Sequence, residues 1–233
     1  MSTRYAVEAR GLSRVYGSGP DGVRALHDAD LLIEVGEFVA VMGPSGSGKS
    51  TLLHLVGGLD RPDAGDVLIE GEPIATLDDE ALAHLRRRRI GFVLQFFNLF
   101  PLLSAVENVA FPLLLDGRRD ALALAAEALE RVGLTARAQH RPGQLSGGEQ
   151  QRVAVARALV TKPAVVLADE PTGSLDTLAG EDILRLLRTA ADDGQAVLLI
   201  THDAPAAAYA DRVVRLRDGE VVSVLDSVPS VAW

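Results

Sequence analysis

The chain has no cysteine, which excludes a disulfide framework and any thiolate-ligated metal centre. It is poor in aromatics, at 4 % of residues. It also lacks any apolar run near the roughly 20 residues that a membrane-crossing helix requires. The opening Met1-Ser2-Thr3-Arg4-Tyr5 carries no apolar signal-peptide stretch. The expectation is a soluble or peripheral protein, with any membrane span supplied by another chain. Basic residues are outnumbered, 23 Lys and Arg against 32 Asp and Glu, for a formal charge of −9. That balance disfavours nucleic acid as the main partner. The one dense basic run, Arg86-Arg87-Arg88-Arg89, closes a segment that opens with Asp78-Asp79-Glu80. It has no interleaved aromatics and reads as a solvated helix C-terminus favoured by the helix dipole. A length of 233 residues suits one large domain or a domain with a subdomain. No internal repeat is visible.

The chain is organised around Gly43-Pro44-Ser45-Gly46-Ser47-Gly48-Lys49-Ser50. This fits the phosphate-loop pattern at every fixed position. The apolar run Phe38–Met42 before it reads as a buried strand, and Thr51–Val56 after it as the first turns of a helix. Glycines let such a loop wrap closely, so that main-chain N–H groups and the helix N-terminus point at phosphates. Lys49 is expected to reach the β- and γ-phosphates, and the Ser50 hydroxyl to lie on Mg2+.

Upstream, Tyr5–Ala9 and Leu31–Val35 read as strands, with Ser18–Gly22 as a turn-rich stretch between them. Tyr16, taken alone, reads as a half-buried strand aromatic. Downstream, Asp66–Gly71 is a strand ending in a turn, and Leu77 to Arg89 a helix. Ile90–Leu94 is a strand with Gln95 at its end. Phe96–Leu103 packs aromatic and aliphatic residues around Pro101 without clean periodicity, and suits either core or an apolar surface for a partner. Asp120–Val132 has strong helical spacing. The region from about Gln95 to Gly143 reads as a helix-rich insertion in an alternating strand–helix pattern. Val165–Ala168 is a buried strand ending in Asp169-Glu170. Behind a phosphate loop, that acidic pair reads as a Mg2+ holder, Asp169, and a general base, Glu170, that polarises the attacking water. Ile183–Ala190 continues a helix. Ala196–Ile200 is a further buried strand, and His202 follows it at the edge where ligands of parallel sheets lie. His27, His54, His84 and His140 have no such placement. A hairpin closes the chain around Asp218-Gly219.

Leu145-Ser146-Gly147-Gly148-Glu149-Gln150-Gln151-Arg152 is a Ser-Gly-Gly turn opening a helix that runs through Ala154, Val155, Ala158 and Leu159. It is a second helix N-terminus suited to an anion. One subunit seldom needs two such ends for one nucleotide, whereas a head-to-tail dimer uses both.

With these stretches in this order, the chain resembles the ATPase subunit of an ATP-binding cassette transporter over nearly its whole length. The resemblance implies an α/β fold: a P-loop NTPase (RecA-like) core with a mainly parallel sheet, an N-terminal antiparallel β subdomain and an inserted α-helical subdomain. The core with its β subdomain would occupy 1–94 and 163–233, and the helical subdomain about 95–162. The resemblance also implies the site: ATP held by Gly43 to Thr51, and Tyr16 as the adenine-stacking aromatic. Gln95 senses Mg2+ and the γ-phosphate. Ser146, Gly147, Gly148 and Glu149 contact the nucleotide across the dimer. Glu170 is the base, His202 holds the γ-phosphate, and Asp176 lies at the dimer interface. Two departures stand out. Glu149 occupies the position where Gln is commonest, and Gly173-Ser174-Leu175-Asp176 replaces the frequent Ser-Ala-Leu-Asp.

Gly57–Pro62, Gln95–Leu99 and Glu107-Asn108-Val109 are similar to ATPases of lipoprotein-release, macrolide-export and antimicrobial-peptide-export systems. The expectation is therefore a homodimeric ATPase at the cytoplasmic face of the membrane, docked through Phe96–Leu103 to a separate transmembrane permease subunit. There ATP-driven closure moves a transmembrane stalk. The alternative is a regulatory ATPase that signals through a membrane partner to an extracytoplasmic enzyme. A DNA-repair or translation ATPase is disfavoured, because such relatives carry a coiled-coil insertion or two cassettes.

Overall fold

The computed structural model describes residues 4–17 and 22–226. Most of the turn-rich stretch Ser18–Gly22 and the tail to Trp233 lie outside them. Two sheets form the frame. In the first, β1 (Tyr5–Tyr16) pairs antiparallel with both β2 (Val23–Glu34) and β4 (Ala64–Ile69), and a short β5 (Glu72–Pro73) borders β4. The second contains β3 (Phe38–Met42), β6 (Ile90–Leu94), β7 (Val165–Asp169), β8 (Ala196–Ile200), β9 (Arg212–Arg217) and β10 (Glu220–Asp226), in the order β10-β9-β3-β8-β7-β6. Only β10 runs antiparallel to its neighbour.

Strands β3, β6 and β8, and β7 up to Asp169, carry no charged residue because both faces are covered, whereas β9 alternates buried Val214 and Leu216 with exposed arginines. In β3, Val39 and Val41 face α1 (Lys49–Val56) and the antiparallel sheet. The alternate residues Phe38 and Ala40 face α5 (Gly147–Leu159), α6 (Thr177–Asp192) and the short α7 (Ala204–Ala207). A third apolar cluster joins α3 (Ala105–Leu115), α4 (Ala121–Arg131) and α5 through Val109, Leu113, Ala125, Leu129, Val153 and Ala156. The helix α2 (Asp79–Arg89) precedes β6 and is capped by the Asp78 side chain on the Ala81 N–H. No helix among the described residues is long and apolar enough to cross a membrane.

Two expectations about surface character are made more specific. The arginine run at the end of α2 is spent on the protein itself. Arg86 donates to the Gly58 carbonyl, and Arg87 to the Leu115 carbonyl. Arg88 bonds Asp116 and Arg89 bonds Glu70. Carbonyls and carboxylates of neighbouring segments converge there, so the run brackets neighbouring elements while Arg88 and Arg89 stay exposed at the helix end, as expected. The segment Phe96–Leu103 divides. Phe96, Phe100 and Leu102 are exposed, while Leu99 packs against the helical cluster.

That segment is pinned by a fully buried residue, Asn108. Its Oδ1 accepts the Phe100 N–H at 2.7 Å, and its Nδ2 donates among the carbonyls of Phe100, Leu103 and Ser104 at 3.0–3.1 Å. Asn108→Leu keeps the volume but orphans these main-chain groups. It should destabilise the protein by about 3 kcal/mol, read as a lower urea midpoint at unchanged m-value. A change under about 1 kcal/mol would show that the loop finds other partners.

Candidate active site

Strand register builds the site. Val41 of β3 lies opposite Ile200 of β8, which lies opposite Asp169 of β7, which lies opposite Leu94 of β6. This row marks the C-terminal edge of the sheet. Each strand is followed there by a residue singled out in the sequence: the phosphate loop after Met42, His202 after Ile200, Glu170 after Asp169, and Gln95 after Leu94.

The loop's shape depends on two close approaches. A Cβ on Gly43 would stand 2.0 Å from the Leu216 carbonyl oxygen, and one on Gly48, with φ at +100°, 2.2 Å from that of Ala25. Gly46, with φ at +79°, has nothing within 4 Å of a Cβ position, so the arc turns open at that point. Pro44, Ser45 and Ser50 are exposed, Ser47 is buried and Thr51 is half-buried in α1. Lys49 curls back over the loop. Its Nζ donates to the Gly43 and Pro44 carbonyls at 2.9 and 2.8 Å.

Beside the loop, the Ser50 hydroxyl donates to the Asp169 carboxylate. Burial pushes the Asp169 pKa up, against the Ser50 hydrogen bond and the positive charges of His54 and Lys49. A half-buried carboxylate touching a serine hydroxyl is a donor set of hard oxygens, which fits Mg2+. Glu170 leaves β7 with φ at +46°, its N–H donating to the Ile200 carbonyl at 3.0 Å. The kink brings Glu170 Oε1 to 2.7 Å from His202 Nδ1. That hydrogen bond, and then the carboxylate's charge, raise the His202 pKa.

Gln95 lies beside Gly173. A Cβ there would meet the Gln95 Nε2 at 2.9 Å, so the glycine that replaces the more frequent Ser leaves room for the Gln95 amide. Asp176 caps α6, accepting the Ala179 N–H at 2.9 Å. Tyr16 ends β1 half exposed, its hydroxyl donating to Asp60 at 2.9 Å and its ring under the Arg14 guanidinium at 5.0 Å.

The Ser146 turn stands apart from the loop. Its neighbours are Phe97, Leu175 and Ala179, and no hydrogen bond among the described residues joins it to Gly43–Ser50. Ser146 Oγ accepts the Glu149 N–H at 3.2 Å, and its hydroxyl is turned toward the Glu149 carboxylate. Glu149 accepts the Ser146 N–H at 2.8 Å and Arg137 Nε at 3.1 Å. The Ser146 main chain, more than Arg137, holds its carboxyl below the usual range. The acid at this position thus completes a capping box.

Two residues of α5 escaped the sequence reading. Gln151 is fully buried, and Arg157 is buried enough that desolvation alone pulls its guanidinium below its ordinary pKa. Arg157 donates to the carbonyls of Asn98 and Phe97 at 2.6 and 3.0 Å.

A glycine loop between strand and helix, with an Asp-Glu pair at the end of a parallel strand one place removed in the same sheet, defines a P-loop nucleoside triphosphatase. The family model described as ABC transporter matches residues 26–173. The lipoprotein-releasing system ATP-binding protein LolD of Chromohalobacter salexigens is 51 % identical over 218 residues, 92 % of this chain and 92 % of that protein. The macrolide export ATP-binding/permease protein MacB of Rhodopseudomonas palustris is 51 % identical over 225 residues, and the match covers 94 % of this chain but 34 % of MacB. This chain therefore spans about a third of the MacB length. A dimeric ATP-binding cassette, MJ0796, in a post-hydrolysis state bound to ADP and Pi, has a TM-score of 0.87 at 43 % identity, covering 95 % of this chain and 99 % of that one. The chain belongs to the ABC transporter family. Within it, the protein is an ATP-binding, ATP-hydrolysing cassette of the kind found in LolD and MacB.

Proposed function

We propose that two copies of this chain clasp ATP head to tail and drive a separate membrane permease subunit from the cytoplasmic face. The observation that carries the dimer is the division of the site. The phosphate loop, Asp169, Glu170, His202 and Gln95 share one sheet edge, whereas the Ser146 helix end, with Gly147 and Gly148 in its first turn, lies elsewhere. A second copy facing the first brings that end to the γ-phosphate. The solved cassette MJ0796, at 43 % identity, is dimeric.

Each residue then has a task. Gly43 to Thr51 wrap the phosphates with main-chain N–H groups, and Lys49 exchanges its two carbonyl partners for phosphate oxygens. Tyr16 stacks on adenine. Ser146, Gly147, Gly148 and Glu149 close the partner's nucleotide, and Asp176 lies between the two sites. Ser50, Asp169 and Gln95 would hold Mg2+, which supplies charge neutralisation at the phosphates when bound. Glu170 accepts a proton from the water attacking in line, and His202, held toward Glu170 by their hydrogen bond, steadies the γ-phosphate. The work is divided between a core over 1–94 and 163–233 and a helical subdomain over about 95–162.

The exposed Phe96, Phe100 and Leu102 form the apolar surface that receives the membrane chain, and dimer closure then moves a transmembrane stalk. Purification from detergent-solubilised membranes should recover this chain with one polytopic protein, as expected for a relative of the lipoprotein-releasing system. Recovery without any membrane protein would refute the permease assignment.

A further inference from the structure

Gln151 occupies a costly position. It lies on α5 and is fully buried. Its Nε2 donates to the Leu94 carbonyl at 3.2 Å and to the Pro171 carbonyl at 2.7 Å. The amide orientation follows from these partners, since the reverse would set an oxygen against two carbonyl oxygens. In this orientation Oε1 is left without a donor. A buried acceptor left unmade costs about 1–3 kcal/mol. A side chain kept only for packing would avoid that cost, as Met or Leu does.

The two carbonyls explain its retention. Leu94 immediately precedes Gln95, and Pro171 immediately follows Glu170. Leu94 and Asp169 are paired in register on adjacent parallel strands. One amide therefore ties the main chain beside Gln95 to the main chain beside Glu170, and ties both to the helix whose first residues form the Ser146 turn. A second grip lies further along the same helix. Arg157 holds the Phe97 and Asn98 carbonyls, whose residues have φ at +49° and +48°. Left-handed backbone at two adjacent non-glycine residues is disfavoured and needs such fixing. The stretch carrying Gln95 is thus gripped from α5 on both sides.

We propose that Gln151 is a positioning residue for hydrolysis: it fixes the spacing of Gln95 and Glu170 relative to the Ser146 turn. This rests on the roles given above to Gln95 and Glu170. Because Gln151 touches neither the phosphate loop nor Tyr16, its loss lowers turnover and leaves nucleotide affinity in place. Misplacing a catalytic group by about 1 Å can cost 100-fold in rate.

The test uses Gln151→Met, which keeps length and volume without the donor, and Gln151→Glu, which keeps the length. Expected for Met is a kcat lower by about 10- to 100-fold, with KM and affinity for a fluorescent ATP analogue within about twofold. Glu170→Gln is measured alongside. A folded Gln151→Met or Gln151→Glu protein with wild-type kcat overturns the proposal. So does a parallel fall in kcat and analogue affinity, or failure of both variants to fold, since either marks a structural tie. If Glu170→Gln itself turns over at the wild-type rate, the base assignment fails. If it is inactive while Gln151→Met is fully active, only the role of Gln151 fails.

Discussion

Glu170→Gln should lower steady-state ATP hydrolysis by about 1,000-fold while leaving ATP binding intact, in keeping with the 100- to 10,000-fold contribution of a positioned general base. The amide keeps the size of the carboxylate and the hydrogen bond toward His202, but it cannot accept a proton from water. With hydrolysis blocked and both halves of the clasp present, ATP should hold two copies together. Size-exclusion chromatography with ATP should show a dimer for the variant and chiefly monomer for the wild type. The same substitution removes the carboxylate that raises the His202 pKa. The imidazole should then titrate at a lower pH, nearer its ordinary value, in an NMR titration. An enzyme that hydrolyses ATP at the wild-type rate after this change would remove Glu170 from the mechanism.

Lys49→Ala should fail earlier, at binding. The Lys49 ammonium is held at the loop by the Gly43 and Pro44 carbonyls. Little reorganisation is needed for it to meet phosphate, and charge-assisted bonds to phosphate are the strong kind. Its removal should weaken ATP binding by at least about tenfold and turnover by at least about 100-fold, the scale of losing one preorganised electrostatic contact. Melting temperature should move little, because the two carbonyls can turn to water on the exposed arc. Calorimetric titration with ATP and a phosphate-release assay measure the two losses. Wild-type affinity together with wild-type turnover would show that the loop does not grip phosphate through this side chain.

The sheet edge was legible because its residues come in short apolar runs that end in polar ones. Val165–Ala168 before Asp169-Glu170 and Ala196–Ile200 before His202 reveal strand, direction and exit together. Strand β1 was read only in part, since its pairing with both β2 and β4 depends on bulges that a period of two does not reveal. The bracketing role of the four arginines was not legible because their acceptors, Gly58, Leu115, Asp116 and Glu70, are up to 28 positions away and two of them are main-chain carbonyls. Carbonyl acceptors leave no mark in a side-chain pattern. Gln151 was hidden for the same reason, although one signal existed. It shares a helical face with the buried Ala154, Val155 and Ala158, and a polar residue on such a stripe must find partners inside.

Asp116 takes both Arg87 and Arg88, and its side chain is only 18 % exposed. This attachment lies at the end of α3, whereas α5 is seated on the sheet through Val155 and Ala158 and grips the Gln95 stretch through Gln151 and Arg157. Loosening the Asp116 end should therefore free α3 while α5 stays seated, and amide exchange should quicken in α3 before α5.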